Sequence, residues 1–336
     1  MLLAAGGINN SILVVVLASA VAYGTPLLYA ALGELLAERS GVLNLGVEGM
    51  MLVGAVMGFW AVQRTDSLLL AIVVAALAGG AMALIHAFLV VTLRANQIVS
   101  GLALTIFAGA AGLSSYLGND LNVAGQPAKH SFGPFLPHSW QNAKVIGPIL
   151  LAHSELVYAS WVCVALVAVY LGRTRLGLNL RAVGESPAAA DAMGINVAGY
   201  RYAHTIVGGA FAGVGGATFT LSITPQWVDG ITGGAGWIAI ALVIFAFWRP
   251  TLCLVGAYFF GAFSGIPFTF QARGILSGVP YATADASTTT RIESLIPPAA
   301  RSVMPPPPTV VPPATTARDT ASAPHRRGRR TGSRPA

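Results

Sequence analysis

Charge is what this sequence has least of. Asp, Glu, Lys and Arg make up 9% of its 336 residues, where a soluble domain carries about 25%. Apolar residues account for 55%, and the mean hydropathy is +0.69. A soluble fold with this composition would have no surface to offer water, so the chain reads as an integral membrane protein. Lysine is scarcer still: Lys129 and Lys144 are the two in the chain, and each follows an alanine. A phosphate-cradling Walker A loop needs Gly-Lys followed by Ser or Thr, so ATP, if it drives this protein, is bound by another chain.

Cysteine and catalytic motifs are equally sparse. Cys163 and Cys253 both lie in apolar runs, which predicts two buried small hydrophobes, no disulfide framework and no metal site. HExxH, CxxC and GxSxG are absent, and the six histidines form no pair at metal-ligand spacing. Nothing here supports an enzyme or calls for a cofactor. His86 is the one histidine deep in an apolar run, where a hydrogen-bonded packing residue fits better than a proton relay. There is no basic region at the N-terminus, and the first positive residue is Arg39, so the first apolar segment is expected to stay as a helix and not to be cleaved.

What the chain has in abundance is apolar runs near spanning length, about 20 residues. They fall at about 11–32, 42–62, 67–92, 98–118, 154–172, 202–222, 234–248 and 252–270, and predict an all-α polytopic bundle of about eight spans. With the N-terminus outside, Arg39, Arg94, Arg173, Arg175, Arg181, Arg201 and Arg249 face the cytoplasm, against Arg64, Lys129, Lys144 and Arg273 outside. The reverse orientation inverts that bias, so N-out is the expectation. Gly54 and Gly58, Gly209 and Gly213, and Gly230 and Gly234 are each four apart, a spacing that lets helices approach closely.

Residues 1–274 form the membrane domain, with 11 basic and 9 acidic side chains. Residues 275–336 hold 8 arginines against 3 acids and 11 of the 20 prolines, and read as a disordered Pro/Arg-rich tail. The basic balance belongs to the tail, which argues against nucleic-acid binding by the body and leaves lipid as its surroundings.

Two stretches carry candidate function. In "GVLNLGVEGMM", Asn44 and Glu48 are four apart and share a face if the second span begins near Val42, which places Glu48 roughly 9 Å along it. An unpaired acid at that depth costs about 2–4 kcal/mol, and a helix dipole offsets about 0.3–1 kcal/mol of that. Glu48 therefore either lines or braces a pathway, or pairs with an interfacial base such as Arg39 or Arg94. The second stretch is the long inner loop 173–201. Within it "SPAAADAMG" reads as a short helix with Ser186 as N-cap, Pro187 in the first turn and Gly194 as stop, either a docking knob or a plain connector.

The run "LGLNLRAVGESPAAADAMGINV" resembles the coupling segment of ABC importer permeases of the branched-chain amino acid, ribose and nucleoside type. "ERSGVLNLGVEGMMLVGA", "RANQIVSGLALT", "GGAFAGVGGA" and "GWIAIALVIFAFWRP" match in order along residues 20–274. "GVLNLGVEGMM" is most similar to nucleoside and simple-sugar permeases that work with basic-membrane-lipoprotein-type binding proteins. One departure is Ala188, where the wider family has a glutamate.

The resemblance implies a cell-membrane permease subunit that moves nucleosides or simple sugars by alternating access. Its implied partners are a separate ABC ATPase, a second permease subunit and an extracytoplasmic solute-binding lipoprotein. It implies an ATPase-coupling role for Arg181, Glu185, Ser186, Pro187, Ala189, Ala190, Met193 and Gly194. A nucleoside offers hydroxyls and amides, which suit neutral hydrogen-bonders, so Asn44, Asn96 and Gln97 join Glu48 as candidates for the solute pathway. The alternative is an ATP-independent carrier or channel, which the scarcity of mid-membrane charge disfavours. Permeases of this type end on a further apolar span, so the tail from Ile275 is expected to reflect a truncation or frameshift.

Overall fold

The computed structural model describes residues 12–109 and 111–272, whose regular secondary structure is all helical, with only isolated backbone bridges and no strand among them. The helices are α1 (Ile12–Arg39), α2 (Val47–Thr65), α3 (Leu68–Ala87), α4 (Gln97–Ala108), α5 (Leu113–Asp120), α6 (His138–Gln141), α7 (Glu155–Arg173), α8 (Arg175–Glu185), α9 (Pro187–Ala192), α10 (Val197–Thr218), α11 (Ala235–Phe245) and α12 (Pro250–Ala272). π-helical turns extend α3 (Phe88–Thr92) and α10 (Phe219–Ile223), and a third (Gly147–Leu151) precedes α7. The expected tail and its frameshift lie outside the described residues.

Every predicted apolar segment falls on a helix, but six helical stretches are long and apolar enough to cross a membrane. They are Ile12–Arg39, Leu68–Thr92, Gln97–Asp120, Glu155–Arg173, Val197–Ile223 and Pro250–Pro267. The 19-residue α2 carries Glu48, Gln63 and Arg64, and both Glu48 and Gln63 are buried by protein. The 11-residue α11 is about 16 Å long, half the roughly 30 Å hydrocarbon core.

Helix α10 is the hub, packed on α1, α2 and α3, while α12 lies along α1. Glycines make these contacts possible. A Cβ built on Gly54 would stand 2.3 Å from the Gly213 Cα, one on Gly33 2.3 Å from the Gly208 carbonyl oxygen, and one on Gly79 2.2 Å from that of Gly209. Lipid tails are as apolar as leucine, so helices in a membrane gain from such close backbone packing and not from hiding side chains from water. The third predicted pair differs: Gly230 and Gly234 have φ of 71° and 87° and form a turn before α11.

The second helix starts five residues later than expected. The Asn44 side chain accepts from the Gly46 amide at 3.0 Å, a local turn that competes with helix, and the Glu34 carboxylate accepts from the Asn44 amide at 2.9 Å. Residues 41–46 are therefore a loop, and Asn44 and Glu48 do not share a helix face.

Arg39 donates to the Trp248 carbonyl at 3.2 Å and Arg201 to that of Ser40 at 3.3 Å, which brings two of the predicted inner arginines to one end of the bundle. Lys129 pairs with Asp66 at 3.3 Å at the other end.

Candidate functional site

Glu48 lies in the first turn of α2, 7% exposed. It accepts from the Thr232 hydroxyl at 2.6 Å, the Gly234 amide at 2.9 Å and the Gly236 amide at 2.7 Å. It thus closes the N-terminus of the half-length α11 while sitting at the N-terminus of its own helix. Three donors and the N-termini of two helices thus meet at one carboxyl group. Gly236 lets the two helices meet, since a Cβ there would stand 2.5 Å from the Glu48 Cα.

One turn away, the 41–46 loop is held from three helices. Gln97 accepts from the Leu43 amide at 2.7 Å and donates to the Gly41 carbonyl at 3.3 Å. Thr105 donates to the Leu45 carbonyl at 2.8 Å. His86 Nε2 meets the Leu43 carbonyl at 3.2 Å, so the proton is on Nε2, and Nδ1 accepts from the Ser100 hydroxyl at 3.0 Å. His86 is thus a hydrogen-bonded packing residue. Asn96 is exposed and caps α4 by accepting from the Ile98 and Val99 amides. The structure therefore brings Asn44 and Gln97 together on the loop, sets Glu48 just above it, and leaves Asn96 at the rim.

The inner loop is more ordered than the sequence suggested. Thr174 caps α8 by accepting from the Gly177 amide at 3.0 Å, and α8 buries Gly177, Leu180 and Val183. That three-residue apolar spacing was the available signal for a helix. α9 starts at Pro187 as expected, Gly194 ends the turn at φ 78°, and Ser186 holds the N-cap position without a side-chain bond. Glu185, Ser186, Pro187, Ala189, Met193 and Gly194 are exposed, Arg181 is half-buried, and Ala190 is buried. Met193 is 81% exposed. His204 ties this face to the bundle: its Nδ1 donates to the Tyr200 carbonyl at 2.7 Å, its Nε2 accepts from the Tyr170 hydroxyl at 2.7 Å, and the Tyr200 hydroxyl accepts from Asn179 of α8 at 3.1 Å.

Two cavities lie at opposite ends of α10, whose 27 residues with the π-turn span about 40 Å. The one at the predicted inner end, about 550 Å³, is lined by Arg94, Gln97, Asp191, Asn196 and Arg201 among others. The outer one, about 400 Å³, lies between α1, residues 132–157 and the end of α10. None of the residues lining it is Asp, Glu, Lys or Arg. Sequence reading missed it because its walls come from segments far apart in the chain. Among the described residues no group of three His, Cys, Asp or Glu side chains is placed to hold a metal ion.

A family model described as the permease component of branched-chain amino acid transport systems matches residues 16–281. A candidate glucose ABC transporter permease of Haloferax volcanii is 42% identical over 254 residues, 75% of this chain and 76% of that protein. A nucleoside ABC transporter permease of Lactococcus lactis subsp. cremoris is 34% identical over 263 residues, 75% and 81% of the two chains. A guanosine ABC transporter permease of Bacillus subtilis is 34% identical over 265 residues, 74% and 81%. No solved structure matches at the same significance.

Proposed function

The chain belongs to the permease family of branched-chain amino acid transport systems, and we propose that it is the membrane subunit of an ATP-binding-cassette importer for nucleosides or simple sugars. Membership makes it a multi-pass cell-membrane transport subunit and not an enzyme. The observation that carries the proposal is α9: a short helix, exposed on the arginine-rich end, with Met193 81% exposed at its tip. A separate ATPase docks on 185–194, a second permease completes the pore, and an extracytoplasmic binding protein delivers solute to the far end. Helix α8 is tied to α10 by the bond from Asn179 to the Tyr200 hydroxyl, which gives a push on α9 a path into the helix that runs past both cavities.

In this reading Asn44, Glu48, Asn96 and Gln97 brace the inner gate. Support comes from their bonds: Gln97 and Asn44 fix the 41–46 loop, Asn96 caps α4, and Glu48 pins the start of α11. Discontinuous helices that start inside the membrane are the mobile parts of many transporters, and α11 has that form. The chain then traverses the membrane eight times, five times by full-length apolar helices, once by α4 followed by α5, once by α2 within the bundle and once by the 228–234 turn with α11. Residues 275–336 are taken as a frameshifted tail. A genome in which neither alternative frame encodes a further apolar span would end that part of the reading.

The experiment is uptake. Cells lacking this gene, with the neighbouring transport genes intact, are complemented with this reading frame and offered labelled guanosine, uridine, ribose and leucine. Restored uptake of a nucleoside or ribose, lost when residues 185–194 are disrupted, is the expected outcome. Restoration of leucine uptake alone would overturn the solute class, and uptake that survives loss of 185–194 would overturn the coupling.

A further inference from the structure

The outer cavity differs from the inner one in a way that bears on chemistry. The inner cavity is walled by Arg94, Arg201 and Asp191, whereas the outer one has polar walls with no ionic side chain. Its volume, about 400 Å³, is within the range of small-molecule sites. Two π-turns shape it: Gly147–Leu151 supplies Pro148, and Phe219–Ile223 turns Ser222 and Ile223 to its wall. π-turns inside longer helices are frequent at functional sites.

The polar walls keep unspent hydrogen-bonding capacity of both kinds. Ser222 donates to Ser154 at 2.9 Å, which leaves the Ser154 proton for another acceptor. His153 is 6% exposed, and its Nε2 donates to the Ile149 carbonyl at 2.8 Å, which makes Nδ1 the acceptor nitrogen of the ring. Gln141 uses its amide nitrogen on the Leu136 carbonyl and keeps its oxygen, and the exposed Asn142 adds both a donor and an acceptor. The rings of Tyr23 and Phe132 provide flat apolar wall.

We propose that this cavity, walled by Gln141, Asn142, His153, Ser154 and Ser222 with Tyr23 and Phe132, is a solute site for an uncharged polyhydroxylated compound, a nucleoside or a simple sugar. Hydroxyls and ring nitrogens match neutral donors and acceptors, and a heterocycle suits an aromatic wall. A zwitterionic amino acid would bring a carboxylate and an ammonium into a site with no opposite charge for either, which burial penalises heavily. The inference rests on the importer reading above and gives its uncharged solute a binding site, in contrast to the amino acids in the family's description.

The test uses the full importer in cells. Cys163 and Cys253 are replaced by alanine, Ser222→Cys is introduced, and labelling by a membrane-impermeant thiol reagent is timed with and without guanosine, glucose or leucine. Guanosine or glucose at about ten times its Kd is expected to slow labelling about tenfold by mass action, with leucine inert. Protection by leucine, or equal labelling with every solute in cells that still import guanosine or glucose, overturns the site and leaves the importer reading standing. Absence of uptake of all three solutes by the unmodified importer overturns that reading and this site with it. Asn142→Ala, at an exposed position that does not test folding, is expected to raise the KM for uptake with kcat retained. An unchanged KM for both Asn142→Ala and a cavity-filling Ser222→Trp that still reaches the membrane also overturns the site.

Discussion

The carboxylate of Glu48 stands 2.7 Å from the amide nitrogen of Gly236, a residue 188 positions later in the chain and in the first turn of α11. With Thr232 and Gly234 as further donors, one side chain holds the start of α11. Glu48→Gln keeps an acceptor oxygen but turns an NH₂ toward one of the donors. It is expected to lower stability by about 1–3 kcal/mol, the range for one charged buried bond. Glu48→Ala orphans all three donors and is expected to cost more. Thermal unfolding of the purified protein in detergent checks the order wild type, Gln, Ala. Equal midpoints for all three would mean that the contact does not hold the helix.

Gly216 tests the close packing of α10 on α2. A Cβ at that position would stand 1.8 Å from the Met51 carbonyl oxygen, which is backbone and cannot rotate away. Gly216→Val is expected to push the helices apart and cost about 1–3 kcal/mol or more. Gly172, in α7, has nothing within 4 Å of its Cβ position. Gly172→Ala is expected to be neutral or to stabilise by up to about 1 kcal/mol through helix propensity. Amounts of folded protein extracted from membranes would separate the two, and similar yields would argue against helix contact at Gly216.

The inner face makes a different demand, because a coupling residue matters for transport and not for folding. Met193 is 81% exposed, so Met193→Asp is expected to change stability by less than about 0.5 kcal/mol. Uptake is expected to fall about tenfold or more if an ATPase packs on that tip, since a buried charge without a partner weakens an interface by kcal/mol amounts. Co-purification of the ATPase with wild type and variant is the measurement. Retained ATPase with unchanged uptake would move the docking surface elsewhere.

How much of this was legible beforehand depended on how local the cause was. Hydropathy located the six stretches long and apolar enough to cross a membrane, because each apolar run signals for itself. The α9 boundaries were readable because Pro187 and Gly194 act through their own backbone angles, the latter with φ 78°. The start of α2 was not, because "GVLNLG" is apolar enough to pass for span, while the Asn44 side chain and Glu34 hold it as a loop. Helix α8 was passed over as polar loop, although Gly177, Leu180 and Val183 mark its buried face. The partner of Glu48 could not be found by pattern at all: Thr232 is 184 residues away, and no spacing rule joins them. The outer cavity is the same case, with Tyr23, Gln141, His153 and Ser222 meeting only after folding.

His153 gives the outer cavity a pH signature. It sits in the loop before α7, and burial holds its imidazole below the ordinary value of 6.5, against a smaller opposing effect of its bond to the Ile149 carbonyl. The folded protein therefore keeps His153 neutral where the unfolded chain would protonate it. Its contribution to stability is fully present above pH 6.5 and declines as pH falls toward the lowered folded value, by at most about 1.4 kcal/mol per pH unit. Thermal midpoints of wild type and His153→Gln are expected to differ by a constant amount from pH 7 to 8 and to converge below pH 6.5, because glutamine donates to Ile149 without titrating. A gap that stays constant down to pH 5 would mean that His153 is not held neutral, and a gap that widens would mean that its imidazolium is stabilised by a group facing it.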